Sequence, residues 1–173
     1  PGTKIFKSID GGENWKQLKV GLPTGKMGKI GLAISPINPD ILYAAIELDR
    51  RKGAVYRSEN RGESWKKMSN TVSGATGPHY YQELYASPHH FDRLYLMDTD
   101  IQLSEDGGKT FSRFNSEHRH VDNHALAFKK SDPDYIMVGT DGGVYESFDL
   151  GSNWRYFSNI PVTQFYKVAL DDA

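Results

Sequence analysis

Ser104-Glu105-Asp106-Gly107-Gly108-Lys109-Thr110-Phe111 is one of four copies of an eight-residue pattern, Ser-x-Asp/Asn-x-Gly-x-x-aromatic. The others read Ser8-Ile9-Asp10-Gly11-Gly12-Glu13-Asn14-Trp15, Ser58-Glu59-Asn60-Arg61-Gly62-Glu63-Ser64-Trp65 and Ser147-Phe148-Asp149-Leu150-Gly151-Ser152-Asn153-Trp154. Their first residues lie 50, 46 and 43 positions apart. Self-similarity at a period of ~40–50 residues marks the blades of a β-propeller. The Asp or Asn side chain can accept hydrogen bonds from backbone N–H groups just ahead of it, closing a turn. The glycine two places later can take a positive φ that a Cβ would strain. The closing Trp or Phe is expected to drop into the apolar layer between sheets. Each copy follows a short strand-like run, as in Ala54-Val55-Tyr56-Arg57 and Gly143-Val144-Tyr145-Glu146, so each box is expected on a turn between antiparallel strands.

A second unit recurs in phase with the first. Residues 33–44, 86–96 and 127–138 each read as a strand, a Pro/Asp turn and an apolar return strand. Ala33, Ala86, Ala127 and Ala169 occupy equivalent places, where innermost strands are expected to crowd. No helical periodicity of useful length appears, so the fold class is all-β, a propeller of four-stranded antiparallel blades. The expected divisions are the end of a blade over 1–28, three blades over 29–79, 80–123 and 124–164, and the first strand of another over 165–173. On this division the sequence runs from mid-blade to mid-blade, and a fragment of a larger propeller is expected in preference to a closed four-bladed ring. The remaining blades are then its first partners.

The eight-residue unit is the Asp-box (BNR-type) pattern, and the chain resembles the Asp-box β-propellers. Those include sialidases, xyloglucanase-type glycoside hydrolases and sortilin-type receptors. The resemblance is closest to the large bacterial sortilin-like or glycosyl-hydrolase-like propeller proteins. It is carried by 79–84, 120–126, 139–147 and 161–168 and extends over nearly the whole chain. It implies boxes on the turn joining third and fourth strands, on the face away from ligands. The box residues Ser8, Asp10, Gly12, Trp15, Ser58, Asn60, Gly62, Trp65, Ser104, Asp106, Gly108, Phe111, Ser147, Asp149, Gly151 and Trp154 would then be structural. It also implies a secreted, periplasmic or cell-surface bacterial protein. No Arg-Ile-Pro segment precedes the boxes, and the arginines show no sialidase triad. Arg57 and Arg61, beside a box, are expected on a solvent-facing rim. The name "hydrolase" in this group follows the fold and is not a mechanism.

Composition narrows the partners. The formal charge is −1 over 173 residues, which gives no electrostatic case for nucleic acid or an anionic membrane. No run approaches the ~18–20 apolar residues of a membrane span. There are no cysteines, which excludes a disulfide framework and thiol chemistry. No cofactor is expected.

Ligand sites are expected on the loops opposite the boxes, namely 70–82 and 116–124 at strand entries, with 47–53, 98–100 and 140–143. His118, His120, Asp122 and His124 recur every second residue, so a continuous strand would place all four on one face. Imidazoles and a carboxylate are donors that a transition metal takes. Along a strand, however, they diverge by ~6–7 Å per step of two, so no metal is assigned. Backbone hydrogen bonding at the channel mouth, or contact with a substrate, is the expectation, with acid–base chemistry as an alternative. Asp141-Gly142-Gly143 lacks the following helix of a phosphate loop and reads as a turn. Asp98, Asp100 and Asp122 are the carboxylates that glycoside hydrolysis could pair. Tyr80 and Tyr81 suit stacking on a sugar, or ordinary packing. The expected function is recognition of a peptide or glycan on this face; glycoside hydrolysis is the alternative.

Overall fold

Two short apolar runs, 41–46 and 94–97, determine how the sheets stack, because their side chains alternate between two layers. Ala44 and Ile46 pack with Ile5, Leu18, Leu22, Met27 and Trp65, whereas Tyr43 and Ala45 pack with Leu84, Leu94 and Leu96. Tyr95 and Met97 turn to a third layer with Phe114, Leu126, Ile136 and Val138. A strand buried on both faces reads as a continuous apolar run, and these strands lie between neighbouring sheets.

The computed structural model describes residues 3–49, 52–70 and 82–160. A two-stranded sheet holds β1 (Phe6–Lys7) and β2 (Lys16–Gln17). The first four-stranded sheet has β3 (Ile30–Ile34), β4 (Leu42–Asp49), β5 (Lys52–Ser58) and β6 (Lys66–Ser69). The next has β7 (Leu84–Ala86), β8 (Leu94–Leu96), β9 (Gln102–Ser104) and β10 (Ser112–Arg113). The last has β11 (Asn123–Lys129), β12 (Asp132–Thr140), β13 (Gly143–Ser147) and β14 (Arg155–Tyr156). Each is an antiparallel meander in chain order, with neighbours paired throughout. These are propeller blades, and the described residues include no helix. The expected first strand over 165–173 lies outside the described residues.

Every box joins the last two strands of its sheet, and one hydrogen-bond scheme recurs in all four. The serine hydroxyl donates to the Asp or Asn at box position 3: Ser8 to Asp10 (2.7 Å), Ser58 to Asn60 (3.0 Å), Ser104 to Asp106 (2.9 Å) and Ser147 to Asp149 (2.7 Å). It also accepts the N–H of the box glycine at 2.8–2.9 Å. The position-3 oxygen then accepts the N–H of the residue four places on. Asn60 differs in that its amide must donate, and it does so to Ser64 Oγ at 2.9 Å.

The two sequence repeats meet at this rim. The N–H at box position 4 donates to the carbonyl of an aspartate in the first hairpin of the same sheet, in its turn for Asp40 and Asp92 and early in β12 for Asp134. The pairs are Arg61 to Asp40 (2.9 Å), Gly107 to Asp92 (2.9 Å) and Leu150 to Asp134 (2.8 Å). Arg61 and Leu150 accept φ of +56° and +53° to make it.

Three details depart from expectation. Trp15 is 62% exposed. The other box aromatics pack against the sheet before their own, and none precedes the Trp15 box among the described residues. Arg57 does not face solvent; its guanidinium reaches Asp92 in the next sheet at 2.6 Å, and Tyr43 donates to the same oxygen at 2.8 Å. Ala33 is buried but Ala127 is exposed. Close approach occurs instead at Gly31 of β3, where a Cβ would lie 1.6 Å from the carbonyl oxygen of Gln82, just ahead of β7.

Gly151→Ala should be far worse than Gly11→Ala. Both glycines have positive φ, +84° and +73°, but a Cβ at Gly151 would lie 2.3 Å from Phe114 Cζ, while one at Gly11 meets nothing within 4 Å. Urea unfolding should show a loss of ~1–2 kcal/mol for Gly11→Ala and ~2–3 kcal/mol more for Gly151→Ala.

The box carboxylates also predict an acid transition. Burial pushes the Asp106 carboxyl up, but hydrogen bonds from Thr110, Ser104 and Lys109 outweigh it and bring it from 3.8 to about 2. A carboxyl depressed in the folded state stabilises above its unfolded pKa, and that contribution is lost as pH falls through the folded value. Melting temperature should therefore drop between about pH 4 and pH 2, and less steeply in Asp106→Asn.

Candidate functional site

The face opposite the boxes is assembled around Asn123, which is fully buried. Its Nδ2 donates to the Asp98 carbonyl (3.0 Å) and the Thr99 carbonyl (2.6 Å), pinning the start of β11 to the β8–β9 turn. The Asp122 N–H adds a bond to the Thr99 carbonyl at 2.9 Å, and the Asp141 N–H donates to the Asp122 carbonyl at 3.2 Å. Three loops from two sheets are thereby tied side by side.

The alternation of His118, His120, Asp122 and His124 does not become a strand face. His118 and Asp122 take φ of +60° and +59°, and β11 starts only at Asn123. The turns bring Arg119 and Asn123 inward and leave His118 and His120 exposed. His118 points to Glu117 at 3.6 Å, whereas His124 Nε2 meets Asp141 Oδ1 at 2.9 Å. Among the described residues no three metal-ligating side chains converge.

Asp141-Gly142-Gly143 forms the β12–β13 turn, and Thr140 Oγ1 accepts the Gly142 N–H at 3.1 Å. A Cβ on Gly142 would lie 2.4 Å from His120 Cγ, and one on Gly143 would lie 2.7 Å from Tyr156 Cε2. The glycines therefore let two rings approach the backbone.

The carboxylates singled out from sequence are differently placed. Asp98 is buried; it accepts the Thr99 N–H at 2.8 Å and Gln102 Nε2 at 3.1 Å, so it organises its own turn. Asp100 binds Arg113 Nη2 at 3.0 Å and Ser116 Oγ at 3.2 Å. Asp122 and Asp141 are joined through the backbone, and the Asp141 carboxylate meets His124 Nε2. Tyr80 and Tyr81 lie outside the described residues.

Sequence reasoning missed Arg119. It is 6% exposed, its guanidinium lies 4.7 Å over the Trp154 ring, and Nη1 donates to Asn123 Oδ1 and to the His120 carbonyl. Trp154 also bonds differently from the other box tryptophans. Trp15 and Trp65 donate their indole N–H to the carbonyl of their own box glycine, at 2.9 Å each. Trp154 donates across to the Asn115 carbonyl at 3.2 Å, and Asn115 Nδ2 donates to the Gly151 carbonyl. The parity of Arg119 with Asn123 was the only signal in the sequence.

Two open grooves adjoin this face. One of about 280 Å³ runs between β3 and β7, lined by 29–32 and 82–85 and crossed by the Lys29–Glu83 pair at 2.9 Å. The other, about 380 Å³, follows residues 113–117.

Residues 53–168 match the family model Sortilin-Vps10, described as sortilin, neurotensin receptor 3. The chain belongs to the Sortilin-Vps10 family. It is also similar to the oligoxyloglucan-reducing end-specific xyloglucanase of Emericella nidulans, 26% identical over 153 residues, which covers 79% of this chain and 18% of that protein. Among solved structures, the GH74 enzyme of Niastella koreensis superposes with a TM-score of 0.59 at 18% identity, covering 75% of this chain and 22% of that one. YCF48 bound to D1 peptide superposes at 0.55 and 13% identity, covering 88% and 47%. The chain thus spans under half the length of each of these proteins, and the two structures establish likeness of fold. Within this Sortilin-Vps10 chain, Asp98→Ala should destabilise by ~2 kcal/mol by removing charge-assisted bonds that close a buried turn, measured by urea unfolding.

Proposed function

We propose that this chain forms part of a ligand-recognising propeller of an exported bacterial protein, binding a peptide or glycan on the loop face opposite its boxes. The observation that supports this is the bonding of three loops around Asn123, in the loops that carry His120, Asp122 and Asp141 and at the start of the strand that carries His124. A site held by backbone and buried side-chain bonds is organised before its ligand arrives, which lowers the ordering entropy of binding. The similarity to a xyloglucanase and to a propeller solved with a peptide supports either ligand class. No helix among the described residues is long and apolar enough to cross a membrane.

Glycoside hydrolysis is the second reading, favoured by the xyloglucanase similarity. It would rest on Asp122, with the Asp141 carboxylate, paired to His124 Nε2 at 2.9 Å, beside it; Asp98 and Asp100 hold their own turns through Thr99 and Gln102, and through Arg113 and Ser116.

Asp122→Asn and His120→Ala separate the readings. Asparagine tolerates the positive φ at position 122, so the fold should survive with an unchanged melting temperature. Each variant should weaken binding by about tenfold on a combined glycan and peptide array, a loss of ~1.4 kcal/mol. Sugar release that Asp122→Asn abolishes would replace recognition with hydrolysis. Unchanged binding in both variants would remove this face from the function.

A further inference from the structure

The turn between β7 and β8, residues 87–93, is tied to all three four-stranded sheets. The Asp92 carboxylate receives Arg57 Nη1 at 2.6 Å and the Tyr43 hydroxyl at 2.8 Å from the β3–β6 sheet. The Asp92 carbonyl accepts the Gly107 N–H of the box in its own sheet at 2.9 Å. His89 Nε2 meets the Lys129 carbonyl of the β11–β14 sheet at 2.8 Å, so that nitrogen carries its proton. Inside the turn, Ser87 Oγ accepts the His89 and His90 N–H groups at 3.2 and 3.1 Å, and the His90 carbonyl accepts the Arg93 N–H at 3.2 Å.

His90 lies at the centre of this turn, and its Nε2 is buried with no hydrogen-bond partner among the described residues. A neutral imidazole tolerates that place, because the unprotonated nitrogen presents only a lone pair. An imidazolium does not: both nitrogens then donate, and a buried N–H that carries charge and lacks an acceptor is strongly disfavoured. The charged groups around the ring are Arg93 and His89 from its own turn, Glu105 from the box and Asp134 from β12. Glu105 is engaged by Arg93 Nη2 at 2.5 Å, and neither carboxylate bonds Nε2 in place. Burial, then Arg93 and His89, hold the pKa of the ring below the usual histidine value, outweighing Asp134 and Glu105.

We infer that the β7–β8 turn is an acid-operated latch between the sheets and that His90 is its sensor. A proton at Nε2 finds an acceptor only if the ring leaves its place. That movement strains the bonds at His89, Asp92 and Arg93 and loosens the box-side rim of the β7–β10 sheet. As pH falls through the unfolded histidine value, the unfolded chain takes up this proton before the folded one, and stability is lost until the folded value is reached. The window opens below about pH 6.5, above the one in which the box carboxylates titrate. The corresponding stretches of the other two sheets, 35–41 and 129–134, contain no histidine, so the response is confined to one sheet. This inference stands independently of the ligand-binding reading.

The test is hydrogen exchange of the 173-residue chain, read by NMR at about pH 7 and about pH 5 and corrected for the intrinsic pH dependence of amide exchange. Protection of the Gly107 and Arg93 amides should fall by about tenfold at the lower pH. The Arg61 amide, which makes the same rim bond in the β3–β6 sheet, should keep its protection. In His90→Gln, whose side chain stays neutral, the fall at Gly107 and Arg93 should vanish. The melting temperature of that variant should decline over the same pH range by about 2–4 °C less than that of the unaltered chain. The exchange comparison within the unaltered chain does not require the variant to fold. Equal loss of protection at Gly107, Arg93 and Arg61, or no loss at any of them, overturns the inference. So does a His90→Gln variant with an undiminished pH response.

Discussion

A serine hydroxyl that donates to one side-chain oxygen and accepts a glycine N–H is the interaction on which each blade depends. In three of the four boxes that serine is almost fully buried, so water cannot replace a lost partner. The bond fixes the box glycine at positive φ, and the glycine's missing Cβ lets the preceding sheet close on it: Leu18 at Gly62, Val55 at Gly108, Phe114 at Gly151. Local turn chemistry thereby sets the distance between sheets. The aspartate carbonyls of the first hairpins, receiving box N–H groups, keep the inner and outer strands of a sheet at one level.

The fold was legible because its determinants are local and repeated. Serine, acceptor, glycine and aromatic fall within eight residues, and the alternation of 41–46 and 94–97 gives burial on two faces. What could not be read was whatever required another sheet. Trp15 and Trp65 share a motif and a hydrogen bond, yet one is exposed and the other buried, because burial depends on the neighbouring sheet. Arg57 sits beside a box like Arg61, but Asp92 draws only Arg57 inward.

The candidate site was less legible for the same reason. The period-two pattern at 118–124 assumed extended backbone, and positive φ at His118 and Asp122, neither a glycine, reversed which side chains point inward. The sequence named Asp98 and Asp100 as candidates but could not foresee that Gln102 and Arg113 would occupy them. The switch of Trp154 from its own box to Asn115 spans 39 positions and has no local signature.

The rim bond between box and first hairpin has a mechanical consequence. Since it lies wholly within one sheet, each four-stranded sheet is laced shut on its own, and adjoining sheets meet through side-chain layers and through polar crossings such as Arg57–Asp92 and the Asn123 bonds. Cohesion then resides at the interfaces, in the manner of stacked repeats that feel only their nearest neighbours. A pull along the chain would part whole sheets one interface at a time, leaving each meander intact as it came away.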